Sequence, residues 1–159
     1  MVYLNKAFVD GITMFDVEEV DKCRDVNRTI GQIPAGTKLI AGLDPASTGF
    51  QACFLWAVNT DTGKMYMVDI ENEQGGGIIQ AKKTIKKWYE KYNLAHWVIE
   101  ENGFQRAIRQ DKDIKDYCAR MGIYLEGHQT QKSKFDPIFG VGSMRELFKE
   151  ELISLPYGS

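Results

Sequence analysis

The chain has 159 residues, 43% of them hydrophobic and 26% charged, with a formal net charge of −2. That length carries one domain with a real core, and the balance excludes disordered and fibrous classes. No apolar run approaches the roughly 18 residues that a membrane span needs. Met1-Val2-Tyr3-Leu4-Asn5-Lys6 lacks the basic-then-apolar layout of a secretory signal. Cys23, Cys53 and Cys118 form no C-x-x-C pair and read as reduced, buried thiols of a cytosolic protein. The charge does not advertise nucleic-acid binding, but a local basic patch suffices for phosphate contacts.

Residues 1–37 differ from the rest. Phe15 to Ile30 is expected to be a helix, with Phe15, Val17, Val20, Cys23 and Val26 partly on one side and charged residues elsewhere. Gly31, Pro34 and Gly36 then break the chain, so residues 1–37 read as a linker and 38–159 as the domain proper. Leu39 to Leu43 is apolar or small throughout, as in a strand buried on both faces, and ends in Asp44. Pro45 and Gly49 bracket the following turn. A buried carboxylate there needs a positive partner, either a metal ion or a helix N-terminus; otherwise Asp44 merely caps the turn.

Gln51 to Val58 and Met65 to Ile70 read as strands joined by a hairpin over Asn59–Lys64, where Gly63 can take a positive φ. Ile78, Ala81, Ile85, Trp88, Tyr89 and Tyr92 recur at helical spacing, and Asn93 closes that helix. Ala95 to Glu100 is the next strand, made parallel to an earlier one by the helical crossover. A helix over Asp111–Met121 stops at Gly122, and Ile123 to Gly127 is a short strand. Val141, Met144, Leu147, Phe148 and Leu152 mark a last helix before an extended Leu152–Tyr157.

This order is α/β, with an acid ending the first strand of the domain and another ending the fourth. It resembles the ribonuclease H-like nuclease fold: a mixed central sheet flanked by helices, its first three strands antiparallel and later strands parallel to the first. In that fold the first and fourth strands are neighbours, so Asp44 and Glu100 would face each other. Hard carboxylate oxygens suit Mg²⁺ or Mn²⁺, and two such ions can hydrolyse a phosphodiester. Side chains alternate along a strand, which favours Glu100 over the alternative Glu101.

More specifically, Leu43-Asp44-Pro45-Ala46-Ser47-Thr48-Gly49, Val98-Ile99-Glu100-Glu101-Asn102-Gly103-Phe104-Gln105, His128 to Asp136 and Phe139 to Met144 resemble the nuclease domain of tailed-bacteriophage large terminases. The resemblance covers roughly residues 15–157. It implies an endodeoxyribonuclease that cuts duplex DNA during viral genome packaging; sequence preference is expected to be low, because the contacts expected are to phosphate rather than base edges. It also implies two Mg²⁺ or Mn²⁺ ions on Asp44 and Glu100. The family's third acidic ligand lies on a later helix; Asp136 comes too early to match, so that ligand is expected beyond Ser159. The phosphate loop of the family's ATPase half is not matched at Gly75 to Lys82. The chain thus looks like the nuclease part, truncated at its C-terminal end, with an interdomain linker from the ATPase side.

Ser47 and Thr48 in the turn, Asn102, Gln105 and Arg106 after Glu100, and His128, Lys132 and Lys134 in the later loop are candidates for DNA phosphate contacts. Arg109 and Arg120 are further candidates, whereas the lysines of the long helix read as a solvated face. The partners implied are double-stranded DNA, the terminase ATPase domain, the small terminase subunit and the portal, in the host cytoplasm and without a membrane. The competing readings are a non-catalytic DNA- or portal-docking module of the same fold and a junction resolvase-like nuclease.

Overall fold

A computed structural model describes residues 15–46, 49–74, 76–100, 103–129 and 143–158. The chain runs α1 (Val17–Lys22), β1 (Arg24–Thr29), β2 (Lys38–Asp44), β3 (Phe50–Val58), β4 (Met65–Gln74) and α2 (Gly77–Tyr92). It continues through β5 (His96–Glu100), α3 (Gly103–Gln110), α4 (Lys112–Met121), β6 (Tyr124–His128), α5 (Met144–Lys149) and β7 (Ile153–Gly158). The strands make one seven-stranded sheet in the order β1-β7-β4-β3-β2-β5-β6. β2, β3 and β4 form an antiparallel meander, and the remaining pairings are parallel. This is the mixed α/β sheet that the sequence implies.

Alternation along the strands divides the sheet into two unlike faces. Ala41, Leu43, Cys53, Leu55, Ala57, Trp97 and Ile99 point to one side and are all at most 2% exposed. Ala81, Ile85 and Trp88 of α2, Ile108 of α3, and Ile114 and Cys118 of α4 close over them. The Trp88 and Trp97 rings sit 5.7 Å apart at the centre of this layer. Ile40, Gly42, Phe54, Trp56 and Val98 point the other way and are only half-buried. β2 is therefore not equally buried on both faces. Its apolar run reflects one sealed side and one partly open side, which composition alone does not distinguish.

A layer of charge joins α2 to β4. Thr84 donates to Glu71 at 3.3 Å, and Lys87 and the Trp88 indole donate to the same carboxylate at 2.7 and 3.2 Å. Tyr92 and Lys91 donate to Asp69. Lys82 reaches Asp113 of α4 at 2.8 Å, and Lys86 lies 4.9 Å over the Tyr117 ring. These lysines are not an idle solvated face: they tie α2 to the sheet and to α4.

The segment Phe15–Ile30 is the main departure from the sequence reading. It is helical only over Val17–Lys22, after which Arg24–Thr29 becomes β1 and pairs with β7. The stripe of apolar residues at helical spacing is too thin to hold a helix without packing, and Val26 is left 70% exposed. Arg28 supplies the reason for the strand. Its guanidinium donates to the Met67 carbonyl of β4 and to the carbonyl and hydroxyl of Ser154 at 2.8 and 3.0 Å. It also lies 5.6 Å over the Tyr66 ring. Likewise, Gly103–Gln110 is a helix that the sequence reading did not separate from the loop after Glu100.

Two helix ends rest on left-handed residues with side chains. Asn93 closes α2 at φ 53° and Glu151 follows α5 at φ 53°. Asn tolerates that conformation and Glu does not. The Leu152 amide returns to Leu147 O at 2.9 Å, which holds Glu151 there. Glu151→Gly is therefore expected to raise unfolding free energy in urea by about 1 kcal/mol, and Asn93→Val to lower it by about 1–2 kcal/mol. Either change with the opposite sign would contradict the assigned backbone.

Asp69 supplies a pH signature. Burial alone pushes its carboxyl up, but hydrogen bonds from Tyr92, Lys91 and the Ile70 amide outweigh that and hold it below the ordinary carboxylate range. A depressed folded-state value stabilises the fold at neutral pH, and that stabilisation is lost as pH falls through the value, below about pH 4. Thermal melts of wild type and Asp69→Asn between about pH 2.5 and 6 should converge at the acid end and separate near neutrality.

Candidate metal centre

The register of the parallel strands builds the site. Leu43 of β2 pairs with Ile99 of β5, and Asp44 and Glu100 are the next residues of each strand. Neighbouring strands lie about 4.8 Å apart, so the two acids stand side by side at the C-terminal edge of the sheet. Leu43 and Ile99 are 2% and 0% exposed on the helix-covered side. Asp44 and Glu100 therefore belong to the other side, where Asp44 is exposed and Glu100 half-buried. The expected cost of a buried Asp44 does not arise: the strand brings it to the rim of the sheet. On the far side of β5, Glu100 pairs with His128 of β6. Asp44, Glu100 and His128 thus form one row across three adjacent strand ends.

The start of β3 is anchored from the opposite face. Gln51, the second residue of β3, is 1% exposed, and its amide donates to Thr84 of α2 at 2.9 Å. Thr84 passes the chain on to Glu71. Among the described residues the Gln51 side-chain carbonyl oxygen finds no partner. Sequence reading passed over Gln51; the available signal was a lone polar side chain at the buried parity of an otherwise apolar strand.

Arg106 is exposed on α3, and His128 is exposed at the end of β6. Arg109 is half-buried on α3, and Arg120 lies 5.8 Å over the Tyr117 ring of its own helix. Arg120 therefore belongs to the face opposite the acids. Ser47, Thr48, Glu101, Asn102, Lys132 and Lys134 lie outside the described residues, as does the side chain of Gln105, whose backbone is in α3. His96, the other histidine, sits at the opposite end of β5 and shares a 2.9 Å hydrogen bond with Glu126, so it is structural.

Chemically, the rim offers two carboxylates and one imidazole on the side of the sheet away from α2. Oxygen donors of this kind fit a hard divalent cation. Among the described residues, no three His, Cys, Asp or Glu side chains converge on one point. Nor is any helix among them long and apolar enough to cross a membrane. The three cysteines are buried, and burial raises each thiol pKa, Cys118 to about 11, so none is poised as a nucleophile.

Comparison with known proteins fits this geometry. No curated protein sequence matches the chain. Among solved structures, the large terminase nuclease of thermophilic phage G20c with bound magnesium aligns with a TM-score of 0.64 at 14% identity, covering 87% of this chain and 71% of that one. The nuclease domain of the bacteriophage SPP1 large terminase, with bound Mn, aligns with a TM-score of 0.53 at 14% identity, covering 85% and 71%. The large terminase of another thermophilic bacteriophage aligns with a TM-score of 0.55 at 13% identity over 90% of this chain, which spans 32% of that protein. At these identities the likeness is one of fold. The family model described as the terminase RNaseH-like domain matches residues 41–139. That span runs from the middle of β2 past the end of β6, and so includes Asp44, Glu100 and His128; the chain belongs to the terminase RNaseH-like domain family.

Proposed function

We propose that this chain is the metal-dependent endonuclease part of a viral DNA-packaging terminase large subunit, and that it hydrolyses duplex DNA phosphodiesters with low sequence preference. The supporting observation is the adjacency of Asp44 and Glu100 at neighbouring parallel strand ends in a chain of this family. Asp44 and Glu100 would hold Mg²⁺ or Mn²⁺, with Glu101 the alternative to Glu100. Held by Asp44 and Glu100, such ions would supply an activated water and charge stabilisation at the leaving oxygen of a phosphodiester. Asp44 approaches from β2 and Glu100 from β5, so they fix their oxygens from two sides of one gap.

Ser47, Thr48, Asn102, Gln105, Arg106, His128, Lys132 and Lys134 would then hold the DNA backbone around the scissile phosphate. Such contacts fix position without reading base edges. The lysines of α2 are unsuited to that role, because Lys82, Lys87 and Lys91 are engaged by Asp113, Glu71 and Asp69, on the face away from the acids. In the full assembly the partners would be the ATPase domain, the small terminase subunit and the portal, in the host cytoplasm.

Nicking of supercoiled plasmid with Mg²⁺ or Mn²⁺, by this chain and by one extended past Ser159, tests the reading. Asp44→Ala and Glu100→Ala are each expected to cut rates at least about a hundredfold, with melting temperatures close to wild type because both side chains sit at the rim. An extended wild-type chain that never nicks DNA with either metal would sink the nuclease reading and leave a docking module. DNA affinity should fall with salt along one slope for unrelated duplex sequences; a strong preference for one sequence would contradict backbone recognition.

A further inference from the structure

The buried side chains fall into two sets. The core under α2 draws on β2, β3, β4, β5, α3 and α4. Cys23 and Ile153 are 4% and 1% exposed, yet neither belongs to it. They lie where the two ends of the described chain meet. The Phe15 ring packs edge-on against Phe148 of α5, with centroids 5.5 Å apart. The Cys23 thiol donates to the Phe148 carbonyl at 3.4 Å, and the Leu155 amide donates to the Cys23 carbonyl at 2.8 Å. Arg28 donates to Ser154, and Arg145 of α5 stands 3.9 Å from Glu19 of α1. We propose that α1, β1, α5 and β7 form one cooperative module that releases from the sheet as a unit and leaves β2 to β6 in place. This inference does not depend on the nuclease reading.

The seam between module and sheet is thin. β7 meets β4 in two residue pairs, Met65 with Ile153 and Tyr66 with Ser154, whereas its pairing with β1 runs from Arg24 to Thr29. Two clefts open along the seam. One of about 390 Å³ is lined by Lys22 and Arg24 of the module and by Lys64 and Tyr66 beside it. The other, of about 440 Å³, is lined by Asn27 and by Ile33 and Pro34. Side chains along such gaps forfeit dispersion contacts that a filled interface would have. Bonds do cross the seam: the Met65 amide donates to the Leu152 carbonyl at 2.8 Å, and Arg28 donates to the Met67 carbonyl. Arg28, however, is a buried cation. Its Nε finds no hydrogen-bond acceptor among the described residues, and the Asp25 carboxylate is 3.8 Å away. Returning that guanidinium to water recovers solvation and offsets the bonds lost on release. Inside the module the two ends depend on each other. Without β7, β1 has no strand neighbour, and without β1, β7 keeps two pairs on β4. Release bares Tyr66 and the outer edge of β4, while residues 30–37 tether the freed end to β2.

The test is native-state hydrogen exchange of the 159-residue chain, read by NMR at low urea concentrations. The β1 amides and the Leu155 amide are expected to exchange through one opening with one urea dependence. Both should exchange at least about tenfold faster than the amides shared by β2 and β3. Phe148→Ala removes packing between the two ends and should speed exchange in β1 and β7 by the same factor, at least about tenfold, with β2 and β3 changed less than about twofold. The wild-type measurement stands without any variant. Exchange of β1 apart from β7, exchange of both only together with β2 and β3, or equal acceleration of every strand in Phe148→Ala would each overturn the inference.

Discussion

Two parallel neighbours cannot be joined by a tight turn, so the chain between Asp44 and His96 must leave the sheet and return over one face. After the β3–β4 meander within the sheet it crosses back in α2, and the return brings Trp97 and Ile99 beside Ala41 and Leu43. All four side chains are at most 2% exposed. Slipping this pairing by one residue would turn the buried set towards the open face and the rim acids towards Trp88. The hydrophobic effect under the sheet and the position of the carboxylates above it are therefore one constraint, not two.

The same division sorts the charges. Acids of β4 at the buried parity, Asp69 and Glu71, are met by cations and hydroxyls of α2. That network holds the helix at a fixed height over β3 and fastens Gln51, and with it the start of β3. The acids at the rim belong to the other side and stand at strand ends. A sheet built this way keeps its structural ion pairs away from the place where cations and phosphates would have to come and go.

Much of this was legible in the residues. The period of α2, its stop at Asn93, the hairpin at Gly63 and the two acids at strand ends all follow from local chemistry, and the structure has each of them. That Asp44 and Glu100 are neighbours needed the fold as well, since nothing local says which earlier strand β5 joins. Phe15–Ile30 misled because its apolar residues suit a helix when judged alone. What decides for a strand is Ser154, 126 residues away from Arg28. Gln51 was missed for a related reason: its partner Thr84 lies on another element. The lysines of α2 were misjudged because the acids that hold them are on β4 and α4.

β7 lies between β1 and β4, parallel to both. Arg24 pairs with Leu155, and the Leu155 amide donates to Cys23 O at 2.8 Å. During synthesis from the N-terminus, β1 therefore leaves the ribosome long before its neighbour exists. The β2–β3–β4 meander and the α2 crossover can close early, from contacts short in sequence, whereas the outer pair must wait for nearly the whole described chain. Until then Arg28 has no Ser154 to hold and β1 is an unpaired edge, the kind of segment that pairs with the wrong chain. The sheet pairing of longest sequence separation thus lies at the edge farthest from the carboxylates.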